Sequence, residues 1–477
     1  MKMADPETQR PGFHKPPPLG LALLPLIAMG LLLGIGYGIY QIRPQVLLVA
    51  AAFLTGCLGF LLKFRWEDMQ KGIVDSIHRA MPAILIMLCV GILIGSWMAS
   101  GTIPMIIYYG LKLISPKFFL VTACLVCSIT AVATGTSWGT IGTVGVAFIG
   151  IAIGLGIPLG LAAGAIVSGA YFGDKMSPFS DIPNLAAVTA GANLFDHIKH
   201  MVWSAAPGWI LSLLVYFLLG FRYTAGTISS DRMTVIMDTL RAHFRFNVLL
   251  LLPMAIVFYL AFTKRPTIPG MLFSSLVAAV LAVIFQNETV VRIAQAVNSG
   301  YPAQTGIEAV DRLLTRGGLM SMMETQLVAF TAFSFGGIMQ KTGMLAVILE
   351  RIMKVARRVG SLVAVTIGSC VVTALVTGSS YLAVIIPGDL LSPVYKRKNL
   401  AAKNLSRIID ECGGIIVPLV PWSMAGVYIT GALGVPVLSY LPWAIANWAA
   451  IFILSLYGFT GFTMAPKIRE DETQIGS

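Results

Sequence analysis

The chain alternates between long apolar runs and short polar connections, and most of the runs are long enough to cross a lipid bilayer. A membrane-crossing helix needs about 20 mainly apolar residues, or about 17 at the least. An all-α polytopic membrane protein with about 11–13 transmembrane helices is therefore predicted. The runs lie near residues 19–40, 44–62, 82–99, 117–134, 140–157, 159–173, 203–221, 246–262, 268–285, 319–340, 358–377, 413–433 and 440–461.

Shorter segments of two kinds separate or interrupt these runs. The apolar pieces at 103–114 and 381–394 are too short to span and suit half-helices or re-entrant hairpins. Three charged, amphipathic stretches predict helices that lie in the membrane interface, at 66–80, 231–245 and 286–316.

One segment recurs about halfway along the chain. Residues 127–137 (CSITAVATGTS) match residues 370–380 (CVVTALVTGSS) at six of eleven positions, with a spacing of 243 residues. Two copies of a broken helix are typical of secondary transporters whose site lies where the copies meet. Chance similarity between two Ala/Val/Thr-rich helices is the alternative. We predict two repeats, at about 66–222 and 301–461, and expect them to be inverted if an odd number of spans separates them.

Composition supports a single membrane domain. The chain is 57% hydrophobic and only 11% charged, against about 25% charged residues in soluble domains. We expect one transmembrane domain over residues 19–464, between an N-terminal tail (1–18) and a C-terminal tail (465–477).

The net charge of +12 reflects basic residues that collect between the apolar runs. Lys and Arg accumulate in cytoplasmic loops, next to anionic headgroups. The charge therefore does not indicate binding of nucleic acid. The basic residues of the first tail and of the second loop predict a cytoplasmic N-terminus.

Two polar, broken stretches interrupt the apolar runs, at 135–139 (GTSWG) and 173–181 (GDKMSPFSD). An ionisable group at membrane depth costs at least about 2.5–3.5 kcal/mol on insertion scales. Backbone broken by Gly and Pro is tolerated there only inside protein or beside a wet cavity. A chain that has both features is predicted to move a polar species across the bilayer. A loop at the membrane surface is the alternative.

The candidate ligands are oxygen atoms, which suit a hard cation such as Na⁺ better than a transition metal. Asp174 is the first candidate, with Asp181 and Glu324 behind it. Asp410 and Glu411 are further candidates, although they could be salt-bridged surface acids, and Glu324 could be an acid at a helix entrance. The remaining candidate ligands are neutral side chains near the broken helices, namely Ser177, Asn184, Thr136, Ser137, Ser379 and Ser380.

Other chemistries fit the sequence less well. The stretch at 135–139 matches the G-x-S-x-G pattern of serine hydrolases, which requires a base beside the serine. The five histidines are expected in tails or at the ends of charged segments, so we expect no enzyme and no cofactor. Cys124 and Cys127 have apolar neighbours and are expected to act as small hydrophobic residues. An organic-anion exchanger and a channel remain as rival classes.

These motifs resemble those of the NhaC-type Na⁺/H⁺ antiporters. The resemblance rests on 135–140, on 173–181 with 184–187, on 194–201 and on 410–423. It implies inverted repeats with re-entrant hairpins, and Na⁺ and H⁺ as substrates. Some similar proteins exchange malate for lactate, and others carry amino acids. The chain departs from the family pattern at Ile182 and Pro183, where hydroxyl residues often stand.

The predicted function is secondary antiport of Na⁺ and H⁺ by alternating access. A carboxylate shielded from water holds a proton more tightly, and a bound cation favours its ionised form. Na⁺ and H⁺ then compete for one site, and this competition yields exchange if the site faces one side at a time. The alternative cargo is a small organic anion or an amino acid. Besides the ions and the bilayer, a homodimer is compatible with this hypothesis.

Overall fold

The computed structural model describes residues 16–222 and 230–466. The predicted tails lie almost entirely outside these ranges. Within them the secondary structure is helical, apart from one isolated antiparallel bridge between Leu400 and Pro466. Eight described helices are long and apolar enough to span a membrane, and the number rises to 12 if each of four bent helix pairs forms one span. The chain is therefore an all-α, multi-pass membrane protein.

The helices form two compact units, and the unit boundaries fall within two long helices. The smaller unit comprises residues up to 79 together with 330–355. In chain order it contains α1 (Leu19–Leu31) with a π-helical continuation (Leu32–Tyr37), α2 (Pro44–Leu61), the start of α3 (Trp66–Ala99), the end of α16 (Leu319–Lys341) and α17 (Met344–Met353).

The larger unit holds the remaining helices and all of the candidate site residues. A π-helical segment, Ile141–Gly145, joins α6 to α7. The helices are α4 (Thr102–Leu113), α5 (Phe119–Thr134), α6 (Ser137–Thr140), α7 (Val146–Gly154), α8 (Leu159–Met176), α9 (Asp181–Ala190), α10 (Leu194–Arg222), α11 (Ser230–His243), α12 (Leu252–Phe262), α13 (Thr267–Gln286), α14 (Val290–Ser299), α15 (Glu308–Leu314), α18 (Val359–Thr377), α19 (Ser380–Arg397), α20 (Ala402–Ile416), α21 (Met424–Leu433), α22 (Val437–Tyr440) and α23 (Ile445–Thr460).

Two predicted elements differ in extent from the structure. The stretch at 66–80 is not a separate interfacial helix, because it continues into the next apolar run as the 34-residue α3, which passes through Pro82. The short piece at 381–394 is part of the 18-residue α19, which contains Pro387 and Pro393. Prolines are tolerated in membrane helices because neighbouring groups can satisfy the freed backbone atoms.

Helix ends in the two halves of the larger unit recur at a constant spacing of 243 residues. Helix α5 ends at Gly135 (φ 70°) and α18 ends at Gly378 (φ 61°), both in the left-handed conformation that glycine adopts at helix ends. Helices α8 and α20 begin 243 residues apart, as do α9 and α21. Gly191 and Gly434 close α9 and α21 in the same left-handed way. These shared boundaries extend the sequence match, and the division into two repeats remains our prediction.

Close packing of α8 against α5 positions the first candidate carboxylate. A Cβ at Gly169 or at Gly173 would lie 2.2 Å from the carbonyl oxygen of Cys124 or of Ser128, respectively. Small residues spaced four apart allow two membrane helices to approach this closely. The approach brings Asp174, the residue after Gly173, to the break that ends α5.

Candidate ion site

The break between α5 and α6 presents a hydroxyl group to Asp174. The side chain of Thr136 accepts a hydrogen bond from the backbone N–H of Gly139 at 3.2 Å, and so caps the start of α6. Ser137 follows the cap, and its hydroxyl donates to Oδ2 of Asp174 at 2.8 Å. Ser137 is 3% exposed and Asp174 is 9% exposed. Asp174 therefore lies inside the protein, and the surface-loop alternative does not hold.

Two oxygen atoms at this position have no hydrogen-bond partner within the described ranges. They are Oδ1 of Asp174 and the hydroxyl of Tyr171, which lies one turn earlier on α8 and next to Ser137. The buried hydroxyl of Ser180 is also near the Asp174 carboxyl group. Because buried polar atoms nearly always have a partner, this concentration of oxygens suits a small cation that binds between them.

A buried ion pair lies directly after Asp174. Nζ of Lys175 donates to Oδ1 of Asp410 at 2.5 Å and to the carbonyl oxygen of Asp410 at 2.6 Å. Nε2 of His197 lies 3.0 Å from Oδ2 of Asp410, and Nδ1 of His197 lies 2.9 Å from Oγ of Ser406. Lys175 thus pairs with Asp410 and not with Asp174, its neighbour in sequence. Both oxygens of Asp410 are thus engaged by protein groups.

Glu411 lies beside this pair but has a different environment. Its Oε2 is 2.5 Å from the hydroxyl of Ser204 on α10, and its Oε1 has no hydrogen-bond partner in the described structure. Asp410 and Glu411 are both fully buried, so neither is the surface acid that the sequence left open.

Several candidate residues stabilise turns near the site. The hydroxyl of Ser177 donates to the carbonyl oxygen of Val132 at 2.7 Å. Asn184 donates to the carbonyl oxygens of Pro178 and Ser180, at 3.0 and 2.7 Å. These bonds hold the segment between α8 and α9 against the end of α5.

The second half of the chain contributes a similar break. The side chain of Ser379 accepts from the backbone N–H of Leu382 at 3.5 Å and caps α19, which begins with Ser380. The next residue, Tyr381, donates from its hydroxyl to Oδ2 of the exposed Asp181 at 3.3 Å. Asp181 thus lies where the two halves meet, but closer to the surface than Asp174. Glu324 is exposed on α16, and its part in the site stays a prediction.

Contacts cross between the halves in both directions. The ring of Tyr428 on α21 stacks on Trp138 of α6 with a centroid distance of 4.4 Å, and its hydroxyl donates to the Trp138 carbonyl oxygen at 2.5 Å. The bond from Tyr381 to Asp181 joins α19 to α9 in the opposite sense. Thus α6 of the first half contacts α21 of the second half, and α19 of the second half contacts α9 of the first half.

Sequence reasoning missed Tyr171, His197 and Ser204. The spacing of Tyr171 and Asp174, three residues apart on one predicted helix, places them on one face and could have indicated the first. The other two gave no such signal, because their partners, Asp410 and Glu411, lie more than 200 residues away in sequence. His197 lies next to Asp196 near the start of α10, and it is fully buried there.

Comparison with known proteins assigns the family. The Na⁺/H⁺ antiporter family model matches residues 169–462. The chain is 42% identical to a protein of Haemophilus influenzae described as an uncharacterised Na⁺/H⁺ antiporter, over 93% of this chain and 96% of that protein. It is 35% identical to the Na⁺/H⁺ antiporter NhaC of Alkalihalophilus pseudofirmus, over 93% and 96% of the two chains.

A third relative has another named cargo. The malate-2H⁺/Na⁺-lactate antiporter of Bacillus subtilis is 36% identical, over 87% of this chain and 89% of that protein. The family match covers more than half of the chain and includes the end of α8 and all of α10 and α20, which carry Asp174, His197 and Asp410. This chain belongs to the Na⁺/H⁺ antiporter family.

Proposed function

We propose that this chain is a secondary antiporter that exchanges Na⁺ for H⁺ across a bacterial cytoplasmic membrane, with its N-terminus in the cytoplasm. The observation that carries the proposal is the state of Asp174. Its carboxyl group is buried, Ser137 occupies one oxygen, and the other oxygen has no hydrogen-bond partner among the described residues. Two antiporter relatives named for Na⁺ and H⁺ support the same assignment of cargo.

The site binds either ion but not both. Na⁺ would be held by Oδ1 of Asp174 together with the hydroxyl oxygens of Tyr171, Ser137 and Ser180, because a hard cation prefers oxygen ligands. A proton on Asp174 removes the negative charge that attracts Na⁺. Release of one ion therefore accompanies uptake of the other.

Coupling of the two ion movements follows from the free-energy cost of an ionised Asp174 that has neither Na⁺ nor H⁺ bound. An ionised carboxylate that is buried without a counter-ion is strongly unfavourable. The loaded site, with either Na⁺ or H⁺, lacks this penalty and can turn from one side of the membrane to the other. The empty ionised site cannot turn readily, and so the two ions move in opposite directions rather than leak.

Lys175 supports this arrangement by not competing for Asp174. Its ammonium group is bound to the side-chain and carbonyl oxygens of Asp410. A lysine that paired with Asp174 would occupy the position that Na⁺ needs. The ion pair with Asp410 thus keeps the ammonium group of Lys175 away from the exchange site.

Organic-anion exchange is the second candidate, because one relative of similar coverage is a malate-2H⁺/Na⁺-lactate antiporter. Purified protein in liposomes, with an imposed pH gradient, decides between the two. We expect Na⁺ to discharge the gradient with no organic anion present. A requirement for malate, lactate or an amino acid would make the second candidate the better one, and Li⁺ and K⁺ serve to define ion selectivity.

A further inference from the structure

Glu411 on α20 is a fully buried acid that exchange at Asp174 does not use. Its Oε2 lies 2.5 Å from Oγ of Ser204, and its Oε1 has no hydrogen-bond partner in residues 16–222 and 230–466. Ser204 is also fully buried, and its Oγ lies 3.3 Å from the carbonyl oxygen of Met201. The Ser204 hydroxyl is thus placed between two oxygen atoms.

The number of protons in this arrangement depends on the charge of Glu411. A serine hydroxyl has one proton to donate. With Glu411 ionised, both neighbours of Ser204 are pure acceptors, and one contact lacks a proton. With a proton on Oε2, Glu411 donates to Ser204 and Ser204 donates to Met201, so that both contacts become hydrogen bonds. The two distances therefore favour the protonated acid.

The nearby ion pairs favour the same state. Lys175 and His197 are engaged by Asp410, and Glu411 forms no ion pair in the part of the chain that the structure describes. An ionised Glu411 would be buried with an unbonded Oε1, which is costly, whereas a neutral carbonyl oxygen costs much less. Asp410 thus forms ion pairs with Lys175 and His197, whereas Glu411 forms none among the described residues, although the charges of Lys175 and Arg407 lie near it.

The other titratable groups near α20 come from the helices packed against it. Arg407, one turn before Glu411, directs its terminal nitrogens to Oγ1 of Thr463 at 2.8 Å and to Sδ of Met464 at 3.8 Å. Asp181 on α9 accepts from Tyr381 of α19. Further groups are Lys403 and Cys412 on α20, Asp174 and Lys175 on α8, His197 and His200 on α10, Cys370 on α18, Tyr395 on α19 and Tyr457 on α23.

We propose that Glu411 is a second proton site of the carrier, distinct from Asp174. It holds a proton while the proton-loaded carrier turns, and loses it to water before the Na⁺-loaded carrier turns, when the nearby positive charges of Lys175 and Arg407 offset its negative charge. Only the O–H bond at Oε2 breaks and re-forms. The proposal rests on the proposed exchange. It implies that each Na⁺ is exchanged for one proton from Asp174 and one more from Glu411.

Infrared spectroscopy of the whole purified protein tests the proton directly. A protonated carboxyl group has a C=O stretching band that is separate from the bands of carboxylates. At neutral pH without Na⁺ we expect wild type to show such a band, and Glu411→Gln and Asp174→Asn each to lose a different part of it. Ser204→Ala should shift the band, because Oε2 loses its hydrogen-bond acceptor. An identical carboxyl band in wild type and in Glu411→Gln would overturn the proposal.

Coupling stoichiometry tests the transport role. In liposomes with a clamped membrane potential, the Na⁺ gradient that just balances an imposed pH gradient gives the number of protons per Na⁺. We expect this number to be lower by one in Glu411→Gln. An active Glu411→Gln variant with the wild-type ratio would overturn the role in transport, and an inactive one leaves the infrared spectrum to decide.

The two proposals fail in different ways. If Asp174→Asn exchanges normally, exchange at Asp174 is wrong, whatever the infrared spectrum of Glu411 shows. If the carboxyl band does not depend on Glu411, the second proton site is wrong even though exchange at Asp174 stands. Asp196→Asn is the matched control for both measurements, since Asp196 is exposed on α10.

Discussion

Asp174 and Asp410 are both buried carboxylates, but their neighbours give them different capacities to bind a transported cation. Asp410 has a lysine on one oxygen and a histidine on the other. Asp174 accepts a hydrogen bond from Ser137 on one oxygen, its second oxygen has no described partner, and the nearby Tyr171 hydroxyl lacks one as well. A carboxylate with complete protein partners is a structural charge, whereas one with incomplete partners can take up a mobile cation. This difference is why we assign exchange to Asp174.

Asp174→Asn should abolish Na⁺-dependent proton movement while the protein still inserts and folds. The amide keeps the shape of the side chain and removes both the negative charge and the proton site. The measurement is Na⁺-driven alkalinisation or acidification in liposomes. Asp196→Asn should exchange normally. Near-normal exchange by a well-folded Asp174→Asn variant would contradict the assignment.

Ser137→Ala and Tyr171→Phe should each weaken the apparent affinity for Na⁺. Each removes one oxygen ligand, which by analogy with a lost hydrogen bond costs about 1 kcal/mol. Ser380→Ala tests the second half in the same way. Ser455→Ala is the control, since the Ser455 hydroxyl bonds only within its own helix, to Ile451. If no Ser or Tyr variant changes Na⁺ affinity, the cation does not bind at these oxygens.

Among the helices, the breaks could be predicted from sequence but their tertiary partners could not. Gly135 and Gly378 stand in matching segments, and both end helices as the repeat predicted. Local rules suffice there, because glycine favours the left-handed conformation of a helix end. The pairing of Lys175 with Asp410 crosses 235 residues of sequence, and no local pattern specifies it. The burial of an acidic side chain could not be predicted either, for the same reason. The sequence left it open for both Glu324, which is exposed, and Glu411, which is fully buried.

Gly135→Ala should disturb the site more than Gly191→Ala. Both glycines have positive φ, 70° and 74°, so an alanine strains the backbone by about 1–2 kcal/mol at either position. A Cβ at Gly135 would also lie 2.7 Å from Cβ of Phe179, whereas Gly191 has open space around it. The backbone strain should lower thermal stability by a similar amount in both variants, and the contact with Phe179 should lower it further in Gly135→Ala. Only Gly135→Ala should also bind Na⁺ more weakly. Equal Na⁺ affinities in the two variants would show that the α5 break does not shape the site.

Lys175→Met should destabilise the protein by about 3–5 kcal/mol, because it leaves the Asp410 charge buried without its lysine. The pair joins α8 to α20, so its loss separates elements that carry the exchange site. Thermal unfolding in detergent measures the effect. Adding Asp410→Asn to Lys175→Met should recover part of the stability. A double variant less stable than Lys175→Met alone would contradict this view of the pair.

The larger unit as a whole contains two similar sets of broken helices that contact each other crosswise. Tyr428 of the second half packs on Trp138 of the first, and Tyr381 of the second half bonds to Asp181 of the first. A site between two such sets is opened to either side by moving one set against the other, without remaking the site itself. An open pore would instead require a continuous polar path to both sides.

Competition at one carboxylate gives the whole carrier a defined pH dependence. Below the pKa of the competing carboxylate, each unit of acidification should weaken the apparent Na⁺ affinity by about tenfold, because protonated sites do not bind Na⁺. Above that pKa the affinity should level off. If Glu411 also releases its proton when Na⁺ binds, the slope becomes steeper than tenfold over the range where both acids titrate. Glu411→Gln should then restore the single-site slope.

Na⁺ affinity measured in liposomes from about pH 6 to about pH 9, with no organic anion added, separates the remaining mechanisms. A channel has no obligatory exchange, so its Na⁺ flux should persist when no counter-ion is present. The Na⁺ concentration that half-saturates this flux should not show the pH dependence described above. An organic-anion exchanger should move little Na⁺ or H⁺ under these conditions. An antiporter with one shared carboxylate should bind Na⁺ more weakly at low pH, while its maximal turnover at saturating Na⁺ changes less. An affinity that does not depend on pH would exclude competition at Asp174, since a proton on Asp174 removes the charge that binds Na⁺ and must weaken the affinity in this mechanism.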